Sequence, residues 1–99
     1  MMDVKALTTA IMKRLETVID PETGADVLRM RLVCDLEISK DGFVTYVFQP
    51  SSPLCPIAAT LAMNIINAIK DVPGVSGQDI TVSGYIYADE LNKTLKSVL

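Results

Sequence analysis

The sequence predicts an α+β domain in two layers. Helix, hairpin, helix, strand and helix follow in order, giving a three-stranded mixed sheet with the helices on one face. Three observations lead there. Apolar residues recur at helical spacing in two stretches, the pattern between them switches to strict alternation, and 99 residues suffice for one domain, residues 1–99.

Val4, Leu7, Ile11, Leu15 and Val18 form the stripe of an amphipathic first helix, with Asp3 as its N-cap and Pro21 as its stop. From Val27 to Ile38 the residues alternate. Met30, Leu32, Cys34, Leu36 and Ile38 share one face, and Arg29, Arg31, Asp35 and Glu37 the other, as in a strand wet on one side. Lys40-Asp41-Gly42 reads as a hairpin turn, and Phe43 to Phe48 as the return strand.

A loop with two prolines, Gln49 to Leu54, precedes Cys55-Pro56, which is expected to open the second helix with proline at its first position. Ile57, Leu61, Ile65, Ile66 and Ile69 make that helix strongly apolar, and Thr60, Asn64 and Asn67 form a narrow polar stripe. It should lie on the sheet and touch the first helix or a partner as well. Asp71-Val72-Pro73-Gly74 ends it. Ile80 to Tyr87 reads as the third strand, with Ile80, Val82 and Ile86 inward, and Asp89 as the cap of a last helix carrying Leu91, Leu95 and Val98 inward.

Composition narrows the chemistry. Hydrophobic residues are 49% of the chain, ample for a core and enough to leave apolar surface for a partner. Net charge is −3 with no basic cluster, which argues against nucleic acid or an anionic membrane as the main ligand. No apolar run is long enough for a membrane span, and the start MMDVKALTT has no basic-then-apolar leader pattern, so the expected compartment is the cytoplasm. Histidine is absent, which removes Ser-His-Asp triads, Cys-His dyads and His-ligated metals. Two cysteines are too few for a disulfide framework or a closed zinc site. Gly74-Val75-Ser76-Gly77 fits the G-x-x-G of KH domains, but it leads from a helix to a strand beside Asp71 and Asp79, so RNA binding is rejected.

Thiol chemistry then leads. At a helix mouth, unpaired N–H groups and the macrodipole favour a thiolate at Cys55, and Pro53 and Pro56 stiffen the chain around it. The plain alternative is a small apolar cap under the loop. Cys34, on a face with aliphatic residues, is expected to be buried and inert. Asp20-Pro21-Glu22 sets two carboxylates beside a rigid turn. These could serve acid–base chemistry or a hard cation, but the ordinary reading is a solvated turn. Ser51 and Ser52 could donate hydrogen bonds to a thiolate or anion, and loop capping explains them equally well.

Asp20-Pro21-Glu22, the strand Val27 to Ile38, and Ser51-Ser52-Pro53-Leu54-Cys55-Pro56 together resemble the iron–sulphur cluster assembly domain family. It was formerly catalogued as domain of unknown function fifty-nine and includes SufT proteins and PaaD subunits. Its pattern is helix, D-P-E, a strand ending in G-L-V, a hairpin, then T-x-x-x-C-P opening a helix. Four departures stand out. Arg31 takes the place of the glycine, which should alter the packing or edge of that strand; Ser51 replaces threonine; Leu54 replaces a glycine; and Tyr85-Ile86-Tyr87-Ala88 replaces a tryptophan region.

The resemblance implies that Asp20, Glu22, Ser51 and Cys55 gather at one end of the sheet, with Ser52 and Pro56 in support and Cys55 as the functional thiol. It implies no enzyme, but a carrier or adaptor in the maturation of iron–sulphur proteins. Its partners would be client apoproteins or other assembly factors. A cluster normally takes four ligands, so any bound cluster would be transient, its metal contact through Cys55 shared with a client, small thiols or a second copy in a homo-oligomer. The alternatives are a non-catalytic adaptor, or a PaaD-like subunit of a multicomponent enzyme, with Cys55 structural. A thiol enzyme using Asp20 or Glu22 as base ranks last, because carboxylates are weak bases toward a thiol.

Overall fold

The structure, a computed structural model, describes residues 4–20, 23–50, 54 and 57–98. Its elements run α1 (Val4–Leu15), β1 (Val33–Ile38), β2 (Phe43–Phe48), α2 (Ala58–Lys70), β3 (Gly77–Val82) and α3 (Ala88–Val98). The sheet order is β1-β2-β3, with β1 antiparallel and β3 parallel to the central β2. The mixed α+β architecture is the expected one.

The core forms where three apolar patterns meet. Val44, Tyr46 and Phe48 of β2 and Ile80 and Val82 of β3 line one sheet face; Leu61, Ile65 and Ile69 of α2 cover it. α1 packs on α2 through Leu7, Ile11 and Leu15, so the strongly apolar second helix is satisfied from two sides. α3 turns Leu91 and Leu95 inward beside β3. Burying side chains of this size stabilises a fold by roughly 1.5–3 kcal/mol each before chain entropy is subtracted. The polar stripe Thr60, Asn64 and Asn67 is exposed, as its spacing required.

Several boundaries differ from expectation. α1 stops at Leu15, well before Pro21, because the chain tightens there: Thr17 and Val18 N–H donate to the Arg14 and Leu15 carbonyls at 3.0 Å each, and the Thr17 hydroxyl donates to Arg14 O at 2.6 Å. Val18 stays buried, but in an extended segment leading to an Ile19–Asp26 bridge. The expected cap Asp3 lies outside the described residues.

The expected strand 27–38 is a strand only from Val33. Before it, residues 27–30 make one helical turn. Asp26 caps it, its Oδ1 accepting Arg29 N–H at 2.8 Å. Leu32 N–H donates to Val27 O at 2.9 Å and Arg31 N–H to Leu28 O at 3.0 Å, the paired bonds of a Schellman stop. Arg31 occupies the left-handed position of that stop, at φ 59°. It therefore shapes the entry to β1, not the strand's packing or edge.

Inside β1 a bulge falls between Cys34 and Glu37, with Asp35 at φ 52°. The extra residue reverses the alternation. Val33 faces Phe48 and Ile38 faces Val44 on the core side, whereas Cys34 faces Val47 on the outer side. Cys34 is consequently half-buried on the sheet's outer face, not sealed in the core, and its Sγ donates to Arg31 O at 3.4 Å.

β3 ends at Val82, five residues short of expectation, because Ser83 and Gly84 (φ 67°) turn the chain. Ile86 is 60% exposed, not inward. α3 begins at Ala88 with the Tyr87 carbonyl accepting its first bond from Leu91 N–H, which puts Asp89 in the first turn rather than at the cap.

Candidate functional site

Asp20 is the one described site residue, and its surroundings follow from its turn. Its N–H donates to Ala25 O at 2.9 Å, and its carbonyl accepts from Gly24 at 2.8 Å and Thr23 at 3.3 Å. Gly24, at φ 74°, lets the loop close that tightly. Val27 N–H then donates to Val18 O at 3.0 Å, completing a small ladder. The Asp20 side chain is fully buried, the only buried charged residue type among those described. For Asp20 alone this corrects the expectation of a solvated side chain; Thr23 and Gly24 of the same turn are exposed, and Pro21 and Glu22 lie outside the described residues. Burying a carboxylate is costly unless the surroundings answer its charge, so its enclosure marks a position with a structural or chemical task.

The turn is tethered to a particular end of the sheet. From Val27 the single helical turn leads to Leu32, whose carbonyl accepts Gln49 N–H at 2.8 Å. On the other flank Ser83 N–H donates to Phe48 O at 3.0 Å. Leu32, Gln49 and Ser83 thus mark the end of β2 from which the segment bearing Cys55 departs. Glu22, Ser51, Ser52, Cys55 and Pro56 lie outside the described residues. Of their flanks, Leu54 is 69% exposed, and Ile57 is partly buried against the core.

α2 opens later than expected. Ile57 is its N-cap, at φ −108° and ψ 13°, with its carbonyl accepting Leu61 N–H at 2.9 Å. Ile57 packs on the core and sits outside the helical region, so the first helical residue is Ala58, two beyond Pro56. An isoleucine has no acceptor to offer the first-turn N–H groups, and the first turn holds no acid. The positive end of α2 is thus uncompensated by those side chains.

Sequence reasoning missed two features. Tyr46 Oη donates to Gln78 Oε1 at 2.8 Å, and Gln78 Nε2 donates to Ile66 O at 3.0 Å, tying both parallel strands to α2. Burial, with the charge of Asp79 adding, pushes the Tyr46 hydroxyl's pKa well above its ordinary value. No periodicity signals such a link, since Gln78 looks like any polar residue at a strand start. The second is a cavity of about 530 Å³ at the opposite end of the sheet, lined in part by Phe43, Ile66, Lys70 and Ser76. Among the described residues no group of three or more acidic or cysteine side chains is placed to hold a metal ion. No helix there is long and apolar enough to cross a membrane.

The family model for iron–sulfur cluster assembly protein matches residues 8–88. The chain belongs to this family. Among relatives of this iron–sulfur cluster assembly domain, a Bacillus subtilis protein named Fe-S protein maturation auxiliary factor YitW is 32% identical over 78 residues, covering 79% of this chain and 76% of that one. A Porphyromonas gingivalis Fe-S protein maturation auxiliary factor is 31% identical over 87 residues, covering 88% and 80%. A Mycobacterium leprae iron-sulfur cluster carrier protein is 26% identical over 93 residues, which are 94% of this chain but 24% of that protein. The fold of this assembly domain is also that of a crystal structure of a domain of unknown function, DUF59, from Bacillus anthracis. The TM-score is 0.71 at 22% identity, covering 96% of this chain and 95% of the other.

Proposed function

We propose that this domain acts in the maturation of iron–sulfur proteins as a carrier or adaptor, with Cys55 giving the cluster labile contact during handover. Family membership and the names of three relatives support the general role. The observation that carries it to a residue is the start of α2. Its N-cap Ile57 lacks an acceptor, its first turn lacks an acid, and the chain's second cysteine lies two residues before that cap. A thiolate at that position gains from a helix end that its own cap and first turn leave without an acceptor or an acid. The buried Asp20, held at the same end of the fold, is read as a support for this region, together with Glu22, Ser51, Ser52 and Pro56.

The cluster is cargo in this reading. Two cysteines in the chain cannot supply four thiolates, so a client, small thiols or a second copy completes the ligand set. That arrangement favours release, because each borrowed ligand can be exchanged for one from the recipient. The role requires no catalysis by the chain and suits the cytoplasm, where thiols stay reduced.

Anaerobic reconstitution with iron and sulfide tests the assignment. Wild type and Cys34→Ala should develop a visible absorbance band and pass iron to an apoprotein, and Cys55→Ala should do neither. A band of full intensity in Cys55→Ala would sink the role given to the thiol. The second reading, an adaptor or enzyme-complex subunit with Cys55 structural, is favoured by the exposed pair Ile86 and Tyr87. It predicts that pull-downs recover the same clients from both cysteine variants while neither binds iron.

A further inference from the structure

We infer that the turn Tyr85–Tyr87, with the acidic start of α3 beside it, receives a partner segment that combines an apolar anchor with lysine or arginine. The inference rests on the maturation reading and names the kind of surface a client presents.

Ile86 is 60% and Tyr87 56% exposed, two consecutive members of the small set of large apolar side chains left open among the described residues. Their exposure is not fraying. Ser83 N–H is bonded to Phe48 O, Ala88 N–H donates to Tyr85 O at 3.1 Å, and Leu91 N–H to Tyr87 O at 2.9 Å. The Tyr85 and Tyr87 rings meet edge-to-face with centroids 5.9 Å apart. Gly84 lies so close to Gln49 that a Cβ there would come within 3.1 Å of the Gln49 side chain. The turn is therefore a rigid knuckle presenting Ile86 between two tyrosines. Pre-ordered aromatic and aliphatic groups lose little entropy on binding, which is what interface anchors require.

Charge selects the occupant. Asp89 and Glu90 follow at once and are exposed; Lys93, the first cation on α3, stands one turn on along the same side, and no ion pair within 4.0 Å joins it to either acid among the described residues. The knuckle is thus apolar with an acidic rim. A segment with a leucine-like anchor and a nearby cation gains on both counts, and an acidic segment is repelled. A second copy docked knuckle to knuckle would set acid against acid. The contact with Gln49 also puts the knuckle beside the first residue of the loop that follows β2.

The test is NMR titration of the isotope-labelled full chain with two synthetic helical peptides sharing one leucine pattern, one bearing lysines and the other glutamates. The lysine peptide should shift the amides of residues 84–91 saturably, and the glutamate peptide should leave them in place. Ile86→Ser with Tyr87→Ser should weaken binding at least about tenfold, and Asp89→Asn with Glu90→Gln roughly threefold to tenfold with a flatter salt dependence. Equal binding of both peptides, shifts centred elsewhere, no shifts, or shifts that appear on concentrating the chain alone would each overturn the inference. The two readings separate cleanly. Cys55→Ala should keep peptide binding, and the Ile86/Tyr87 variant should keep cluster reconstitution.

Discussion

The Asn92 side chain pairs with the Val82 backbone as a neighbouring strand would: Oδ1 accepts Val82 N–H at 2.7 Å, and Nδ2 donates to Val82 O at 3.1 Å. One amide from α3 thereby pairs the last residue of β3 on its open edge, where unpaired backbone groups invite association. The other edge is guarded differently, by the bulge at Asp35 and the exposed Asp35 and Glu37 of β1. Asn92→Ala should cost about 2 kcal/mol, since two bonds to half-buried backbone groups are lost. Asn92→Asp should also destabilise, keeping an acceptor but leaving Val82 O facing a carboxylate. Urea melts read both, and light scattering should show more self-association in Asn92→Ala.

Arg31 holds a left-handed conformation at the stop of the helical turn before β1. A side chain pays about 1 kcal/mol there that glycine does not, partly offset by glycine's freer unfolded chain. Arg31→Gly should therefore raise stability slightly, by about 0.5 kcal/mol or less. A lower urea midpoint would show that the arginine side chain contributes more than its backbone costs.

Gly42 takes φ 84° in the hairpin turn, and a Cβ there would lie 2.2 Å from Gly74 O. Ser76 N–H also donates to Gly42 O at 3.0 Å, so the hairpin and the α2–β3 loop are locked together. Gly42→Ala must both strain the turn and push that loop away. We expect a loss of about 2–4 kcal/mol by thermal or urea unfolding.

Tyr46 binds its proton more tightly folded than unfolded, because burial and Asp79 both oppose the phenolate. Below pH about 10 both states hold the proton and its contribution is complete. Above that the unfolded state releases the proton first, so stability falls by about 1.4 kcal/mol per pH unit from this group alone. Tyr46→Phe should start less stable, having lost the bond to Gln78, but should decline less steeply in alkali. Urea midpoints at about pH 8, about 10 and about 11, below the window, at its onset and inside it, make the comparison. Parallel slopes for the two proteins would refute the assignment.

The family was legible from residue types and order. The absence of histidine, the two cysteines and the sequence Asp20-Pro21-Glu22 followed by Ser51 to Pro56 pointed to a thiol-centred role, and family membership agrees with the resemblance. Whether the side chain of Asp20 faced water was not legible. Its burial depends on the Ala25 and Gly24 bonds that curl the turn inward, and those involve backbone atoms that every residue shares.

Local periodicity determined α1, α2, α3 and the Phe43–Phe48 strand, because each buries one face and burial imprints its own spacing on the chain. What only the tertiary structure decided was phase and neighbourhood. A single extra residue in β1 moved Cys34 to the outer face, since strand alternation has period two and any insertion inverts it. Arg31 became a helix stop, Asn92 a partner for the end of β3, and Ile86 an exposed turn residue instead of a core residue. Each of these depends on which backbone groups find partners across the fold. That pairing is settled by packing among distant segments, and no local pattern records it.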